Sequence, residues 1–585
     1  MVSSPAMDRG VGRAGRVLCA ACGAALAAAE ALGLARALSG VANREALAWD
    51  AARRALLDLE AADALRRLDV AAFLWRVVGP ETWPTLRLLL AAPLHALAGP
   101  PHAFGVELGL SVAAYAALPL LLALVAADLA RSTGEALVAF ALGAALLLGN
   151  RALLIYAADG MLEPLSALFT LGSVWAWIAS RRGPSQRPVA LALLGNLLFH
   201  VKWQYGMLLA LAVLGLETWE GGLAPARRRT AVVVRALAAE GESAVGRALL
   251  ALGALFLAAA LDVARAGGTA GTFLGIALSF RDVHGPVAWL ALVLFAFVER
   301  ALYRGRARLA LQIPERLRFL WAFLATPMAA WILVPFTWRL RTLVVTAAVY
   351  HSGASPPGLA GRLLFYPLAA FKSWLPKGAG PVLLALLAAS AWAALRSREV
   401  RRLFAPVVAL AAVEGLVLAA GSRHNFQARF ALNLAPLLAL GAGAFIAALP
   451  RGLAWIALPA SAALALLLLA APLFREGALA AALSEGFDPE EHALACRRLA
   501  EAIPPGAVIL NGGPQGCALW AAVLARQAGR VAEFDVRARP EHRTLFLISD
   551  CLSPPPVPEG FVGGDELEAG PFCGRVCRRA GPGSP

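Results

Sequence analysis

An α-helical polytopic membrane protein with a small α/β domain at its carboxyl end is the fold class that three features of this 585-residue sequence predict. Hydrophobic residues make up 59% and charged residues only 16%, against roughly 25% charged in a soluble globular chain. About thirteen apolar stretches run from residue 17 to residue 473. Beyond them the Leu and Ala monotony gives way to Gly, Pro and polar residues. The net charge of +15 invites a nucleic-acid reading, but the 53 Lys and Arg are dispersed over short loops between apolar runs. That distribution is the footprint of orientation in a membrane.

At about 20 residues per span, helices are expected near 17–38, 106–129, 135–157, 163–179, 189–201, 204–218, 247–265, 286–302, 319–336, 380–395, 405–421, 429–448 and 453–473. Cation placement tests this division independently, because short cytoplasmic loops collect Lys and Arg. With Arg9, Arg13 and Arg16 inside, every second loop should be basic. Arg131, then Arg181, Arg182 and Arg187, then Arg227, Arg228 and Arg229, then Arg304, Arg306 and Arg308, then Arg396, Arg398, Arg401 and Arg402, and finally Arg451 follow that alternation. It puts the amino terminus in the cytoplasm and the carboxyl terminus outside. The first segment reads as a retained anchor, since no small-residue cleavage site follows it.

Three external segments exceed simple turns. Residues 39–105 carry Trp49, Asp50, Asp58, Glu60, Asp63 and Asp69 among Ala and Leu at helical spacing, which predicts amphipathic helices lying on the membrane surface. Residues 337–379 mix Trp338, Arg339, Arg341, Tyr350, His351, Tyr366, Lys372, Trp374 and Lys377, a composition suited to an interfacial cap. The tail, 474–585, contains an apolar run at 507–510, a Gly512-Gly513 turn, a Leu and Ala helix near 517–526, and β-prone runs at 530–534 and 544–548. These predict a small extracytoplasmic α/β domain. The Gly-Gly turn is better explained as an ordinary strand-to-helix connection than as a phosphate loop.

Cys496, Cys517, Cys551, Cys573 and Cys577 all fall in that tail, where an oxidising compartment could pair four and leave one free, in a connectivity that spacing does not disclose. Cys19 and Cys22 form a CxxC inside the first apolar helix, where redox or zinc chemistry lacks polar support and core packing explains them better. No HExxH, Walker loop or Ser-His-Asp signature occurs, which argues against a protease, an ATP-driven pump and a soluble hydrolase.

The chemistry-bearing residues gather on the outer side of this topology. Asp50 stands in Ala48-Trp49-Asp50-Ala51-Ala52-Arg53-Arg54 just after the first span. Asp159 and Glu163 stand in Asp159-Gly160-Met161-Leu162-Glu163-Pro164 between the third and fourth. Lys202 lies in His200-Val201-Lys202-Trp203-Gln204-Tyr205, and His424 and Arg429 lie in Arg423-His424-Asn425-Phe426-Gln427-Ala428-Arg429.

An anchor helix, a long first external loop opening with an acid, an acidic second external loop, a Lys-aromatic turn and a late His/Arg loop together resemble the GT-C superfamily of membrane glycosyltransferases. The branch most similar contains protein O-mannosyltransferases, lipid A aminoarabinose transferases and rhizobial lipopolysaccharide-core transferases. The likeness covers roughly residues 17 to 450 and is one of order and spacing. It implies a polyprenyl-phosphate-linked sugar as donor, a glycolipid, glycan or protein of the cell envelope as acceptor, membrane lipid and no nucleic acid as surroundings, and the outer face of the inner membrane as the place. It further implies Asp50 as the base that removes the acceptor proton, a task suited to a carboxylate shielded from water. Lys202, His424 and Arg429 are then the cations that stabilise the departing phosphate. Asp159 and Glu163 orient the acceptor or hold a divalent cation, Mg or Mn, the one cofactor candidate. Family members commonly have Asp-Glu where this chain has Asp50-Ala51, which weakens the metal assignment.

Each residue also has a plainer account: Asp50 as a solvated helical position, Glu163 as an acid at a helix start followed by Pro164, Lys202 and Arg429 snorkelling to the interface. The rival functions are a transporter or lipid flippase, which calls for ionisable residues near the bilayer midplane, and a non-catalytic scaffold. Asn150, Asn196, Glu299 and Glu414 are the ionisable or amide candidates inside spans.

Overall fold

The computed structural model describes residues 11–39, 49–79, 85–181, 187–267, 269–273, 276–280, 282–334, 339–348, 358–373, 398–421, 432–448, 489–511, 517–530, 533–535, 538–539, 541–551, 556–569 and 572–580. The chain is mostly helical, with a small sheet domain near its carboxyl end. Among the described residues four helices are long and apolar enough to cross a membrane: Arg13–Leu38, Pro100–Leu129, Ala244–Ala266 and His284–Arg304. This makes the protein membrane-associated in character. The contacts divide the chain into two compact units, one of Met1–Val77, Thr85–Leu168 and Ile456–Pro585, the other of Val78–Pro84 and Phe169–Trp455.

The first unit is built on helices α1 (Arg13–Ser39), α2 (Trp49–Arg66), α3 (Val70–Val78), α4 (Thr85–Ala98), α5 (Ala103–Leu129), α6 (Thr133–Leu148) and α7 (Arg151–Ala158), with the start of α8 (Glu163–Ser180). Cys19 of the CxxC packs in the core with Ala127 and Ala136, as a small apolar residue does. The span expected at 135–157 is a broken one: α6 and α7 meet at 64°. The sequence reason is Gly149-Asn150. Asn150 leaves the helical conformation and caps α7, its side chain accepting from the Leu153 N–H at 3.0 Å. A Cβ on Gly149 would approach the Ala145 carbonyl oxygen to 2.5 Å.

The expected helices of the first external loop are present as α2, α3 and α4. α2 differs from an open surface helix, because it is covered on more than one side. Its Ala51, Ala55, Leu56 and Leu59 share a core with Leu499, Trp520 and Phe546 of the tail, while Ala61 packs against Leu88 and Ala92 of α4. Alanines on most of its faces allow that close approach.

The second unit comprises most of α8, α9 (Arg187–Val201), α10 (Trp203–Gly221), α11 (Leu223–Gly241), α12 (Ala244–Ala266), the hairpin β1 (Thr269–Phe273) and β2 (Ile276–Phe280), and α13 (His284–Arg304). It continues with α14 (Arg306–Gln312), α15 (Glu315–Leu320), α16 (Thr326–Leu333), α17 (Arg339–Ala348), α18 (Gly358–Ser373), α19 (Arg398–Gly421) and α20 (Ala435–Ala448). The span expected at 319–336 is interrupted by a π turn at Trp321–Ala325. Those at 189–201, 405–421 and 429–448 correspond to shorter apolar helices, and those at 380–395 and 453–473 lie outside the described residues. α11 and the β1–β2 hairpin lie where the sequence reading had only loops.

In the tail, α21 (Pro489–Ala502) precedes β3 (Val508–Asn511), α22 (Cys517–Gln527), β4 (Glu533–Asp535), β5 (Thr544–Asp550), β6 (Phe561–Ala569) and β7 (Phe572–Arg579). The sheet order is β4-β3-β5-β7-β6, with β3 parallel to β4 and β5 and the β5–β7 and β7–β6 pairs antiparallel. β3, α22, β4 and β5 follow the sequence expectation; α21, β6 and β7 are additional. Disulfides join Cys496 to Cys517 and Cys551 to Cys573, and Cys577 is free and buried. The first ties α21 to α22, the second the end of β5 to β7. The Gly512-Gly513 turn lies outside the described residues.

Candidate functional site

In the first unit, Asp50, Arg54 and Asp58 recur every fourth residue along α2 and so share one face of the helix. The side chains of Arg54 and Asp58 are buried. Arg54 Nη2 donates to the Gly160 carbonyl oxygen at 3.3 Å and lies 3.5 Å from the Met161 sulfur. That face therefore meets the turn between Asp159 and Glu163, more than a hundred residues away in sequence. Asp159 is half-buried at the carboxyl cap of α7, and Glu163 is buried in the first turn of α8. A carboxylate is favoured there by the helix macrodipole. The structure thus brings the Arg54 position of α2 to the turn that bears Asp159 and Glu163, while the side chain of Asp50 lies outside the described residues.

A second group of charges lies one turn further along α2. Arg87 of α4 donates to Ser111 Oγ at 3.3 Å, to the Glu107 carbonyl oxygen at 3.1 Å and to Glu107 Oε2, and its Nε is 4.0 Å from Asp58 Oδ2. His95 Nε2 meets Glu107 Oε1 at 2.8 Å, and Ser111 Oγ donates to the Met161 carbonyl oxygen at 2.9 Å. All of these side chains are buried. Burial, reinforced by the neighbouring Glu107 carboxylate, pushes the Asp58 carboxyl well above the usual carboxylate range against the pull of Arg87 and Arg54. The group was not anticipated as a site. Arg87 and His95 eight residues apart on α4, and Glu107 as the lone acid in the apolar start of α5, were the signals that could have found it.

Asp58, His95 and Glu107 each offer a ligand atom within 4.8 Å of one another. The fit to a divalent cation is poor, because the Arg87 guanidinium already supplies the positive charge among them, bonded to one carboxylate and beside the other. Asp159 and Glu163 belong to no metal-like group among the described residues.

In the second unit Lys202 occupies the cap position before α10, half-buried, with Nζ 5.2 Å from the centre of the Tyr205 ring. The expected Lys-aromatic turn is thus formed. Glu414 of α19 is within its electrostatic reach. Glu414 Oε2 accepts from Asn433 Nδ2 at 3.0 Å, and Asn433 Oδ1 accepts from Thr170 Oγ1, all three side chains being buried. His424 and Arg429 lie outside the described residues.

No family model matches this chain, and no curated protein does either.

Arg339 is a buried cation of the same unit. It stacks 4.0 Å from the centre of the Trp331 ring and donates to the carbonyl oxygens of Trp331, Val78 and Gly79 at 3.1, 3.0 and 3.0 Å. Burial lowers its pKa to about 10. With its donors committed to backbone, its part is to anchor the 78–79 segment, and it is not a candidate phosphate ligand.

Proposed function

We propose that this chain is an integral-membrane glycosyltransferase of GT-C type that moves a sugar from a polyprenyl-phosphate carrier to an acceptor at the outer face of the membrane. The acceptor is a cell-envelope glycolipid, a polysaccharide or a protein. The arrangement of about thirteen spans, with the tail domain outside, belongs to the same proposal. Asp50 takes the proton of the acceptor hydroxyl as its oxygen attacks the anomeric carbon. The bond from that carbon to the phosphate oxygen breaks with inversion, and the electron pair leaves on the polyprenyl phosphate, whose charge Lys202, His424 and Arg429 stabilise. Asp159 and Glu163 orient the acceptor.

The observation that supports this reading most is the bond from Arg54 to the Gly160 carbonyl, which draws the α2 face bearing position 50 to the Asp159–Glu163 turn. A general base needs acceptor-orienting partners close by, and a turn bearing two acids packed against the helix of Asp50 suits that need. The test is sugar transfer by purified protein in vesicles holding a polyprenyl-phosphate sugar, combined with mass spectrometry of glycolipids from a deletion strain. Asp50→Asn is expected to lose about 100-fold or more of the transfer rate while remaining folded. Wild-type rates in that variant overturn the assignment of the base, and an unchanged glycolipid, glycan and glycoprotein profile in the deletion strain overturns the reaction.

A transporter or flippase is the second reading, and the buried chain of Thr170, Asn433 and Glu414 inside apolar helices is what favours it. Lipid or solute movement across reconstituted vesicles without sugar transfer would replace the first reading by this one.

A further inference from the structure

In the second unit, α11, α13 and α14 enclose a cavity of about 390 Å³ whose lining includes Arg235, Glu240, Arg304, Arg308, Leu311 and Gln312. Its charge is not balanced. The Glu240 carboxylate is buried and already engaged: Arg300 Nε bonds Oε1 at 2.7 Å, Arg304 Nη1 bonds Oε2 at 3.0 Å, and Ser243 Oγ donates to Oε1 at 2.8 Å. Two further guanidinium groups face the cavity with little to do. Arg235 bonds only the Ala231 carbonyl of its own helix, at 3.1 Å, and Arg308 has no side-chain partner among the described residues. Together with the amide of Gln312 they form a basin of donors that calls for an oxyanion.

The position of the cavity identifies the kind of oxyanion. It lies where α12 begins and α13 ends, and these are two of the four helices long and apolar enough to cross a membrane. Only 22% and 28% of their apolar windows are buried within the protein, so the surface running away from the cavity is open hydrocarbon. Tyr303 and Leu311 beside it are 67% and 86% exposed. The other ends of the same two helices carry Arg265 and Arg281, whereas this end carries Arg235, Arg247, Arg300, Arg304, Arg306 and Arg308, with Arg227, Arg228 and Arg229 at the start of α11. Such an end is the one that faces an anionic cytoplasmic leaflet. A charged basin bordered by open apolar surface fits a molecule with an anionic head and hydrocarbon tails, and 390 Å³ is of the size that holds a small-molecule head group.

We propose that this cavity binds the phosphate head group of an anionic glycerophospholipid, with Arg235 and Arg308 as the head-group ligands and the acyl chains lying against the exposed sides of α12 and α13. The assignment does not depend on which reaction the protein performs.

The experiment uses the full chain in detergent, delipidated and offered phosphatidylglycerol or phosphatidylcholine, with bound lipid counted by native mass spectrometry. Wild-type protein is expected to retain phosphatidylglycerol and not phosphatidylcholine. Arg235→Gln with Arg308→Gln should weaken phosphatidylglycerol binding by about 10-fold or more, while Arg228→Gln, at the same basic end but outside the cavity, should change it less than 2-fold (roughly the effect of one diffuse surface charge). Equal retention of the two lipids by wild-type protein overturns the proposal without reference to any variant's folding. Equal losses from Arg228→Gln and the double variant reduce the cavity to a diffuse basic surface, and displacement of the lipid by millimolar inorganic phosphate makes it a site for a soluble anion; either result overturns it.

Discussion

Glu107 in the first unit and Glu414 in the second are both fully buried carboxylates on apolar helices, and their surroundings differ in one respect. Both oxygens of Glu107 are engaged, Oε2 by Arg87 and Oε1 by His95. Glu414 has Asn433 on Oε2 but, among the described residues, no hydrogen-bond partner on Oε1, and the opposite charge acting on it is Lys202, a residue expected to serve the donor phosphate. A buried ion pair contributes little net stability compared with an apolar replacement, yet removing one partner strands the other in a medium that cannot solvate it. The closed network should therefore govern folding, and the open one should govern what binds beside it.

Breaking the closed network gives the largest expected effect. Arg87→Ala leaves the Glu107 charge without its guanidinium and should lower stability by about 3–5 kcal/mol, read as the midpoint of thermal unfolding in detergent. Arg87→Met combined with Glu107→Leu should recover most of that loss; failure to recover it would show the network to be more than a pair of mutually compensating charges. Arg339→Ala comes next, at about 1–3 kcal/mol, because it orphans three backbone carbonyls and removes a packed ring contact. Glu414→Gln should cost less than about 1 kcal/mol, since the amide keeps an oxygen for Asn433. Under the proposed reaction it should instead alter the apparent affinity for the polyprenyl-phosphate donor through Lys202. A stability loss for Glu414→Gln as large as that for Arg87→Ala would erase the distinction between the two networks.

The smallest effect is one of pH and sharpens the comparison inside the first unit. The folded Asp58 carboxyl holds its proton to a higher pH than the ordinary 3.8. The folded state then binds more protons than the unfolded one, so this group's contribution is complete below that value and is lost as pH rises through the raised one. Asp58→Asn removes the dependence. The variant should equal or exceed wild-type stability at pH 8, with the balance moving toward wild type as pH falls to 4. A gap that widens in the variant's favour on acidification would mean that Asp58 is held ionised by Arg87 and Arg54.

Composition and period made the apolar helices readable directly, because a helix that must face hydrocarbon carries its evidence in every residue. The same holds for β3, α22, β4 and β5 in the tail, where a short apolar run, a turn and a Leu and Ala helix follow one another locally. β6 and β7 were less legible, since Gly563, Gly564 and the charges of 565–568 mask the alternation of a strand whose β6 face is largely exposed. The acids at 50, 159 and 163 could be picked out one by one from their places at the ends of apolar runs. The packing of the 159–163 turn against α2 could not, because it rests on Arg54 reaching a carbonyl 106 positions away. The network of Asp58, Arg87, His95 and Glu107 was equally hidden: each residue taken alone reads as a loop charge or a stray polar group in a span. Sequence by itself determined the four helices that are long and apolar enough to cross a membrane and the β3–α22–β4–β5 order of the tail. Tertiary structure alone decided which charges compensate one another, since burial removes the solvent that would otherwise make every such pairing nearly equivalent.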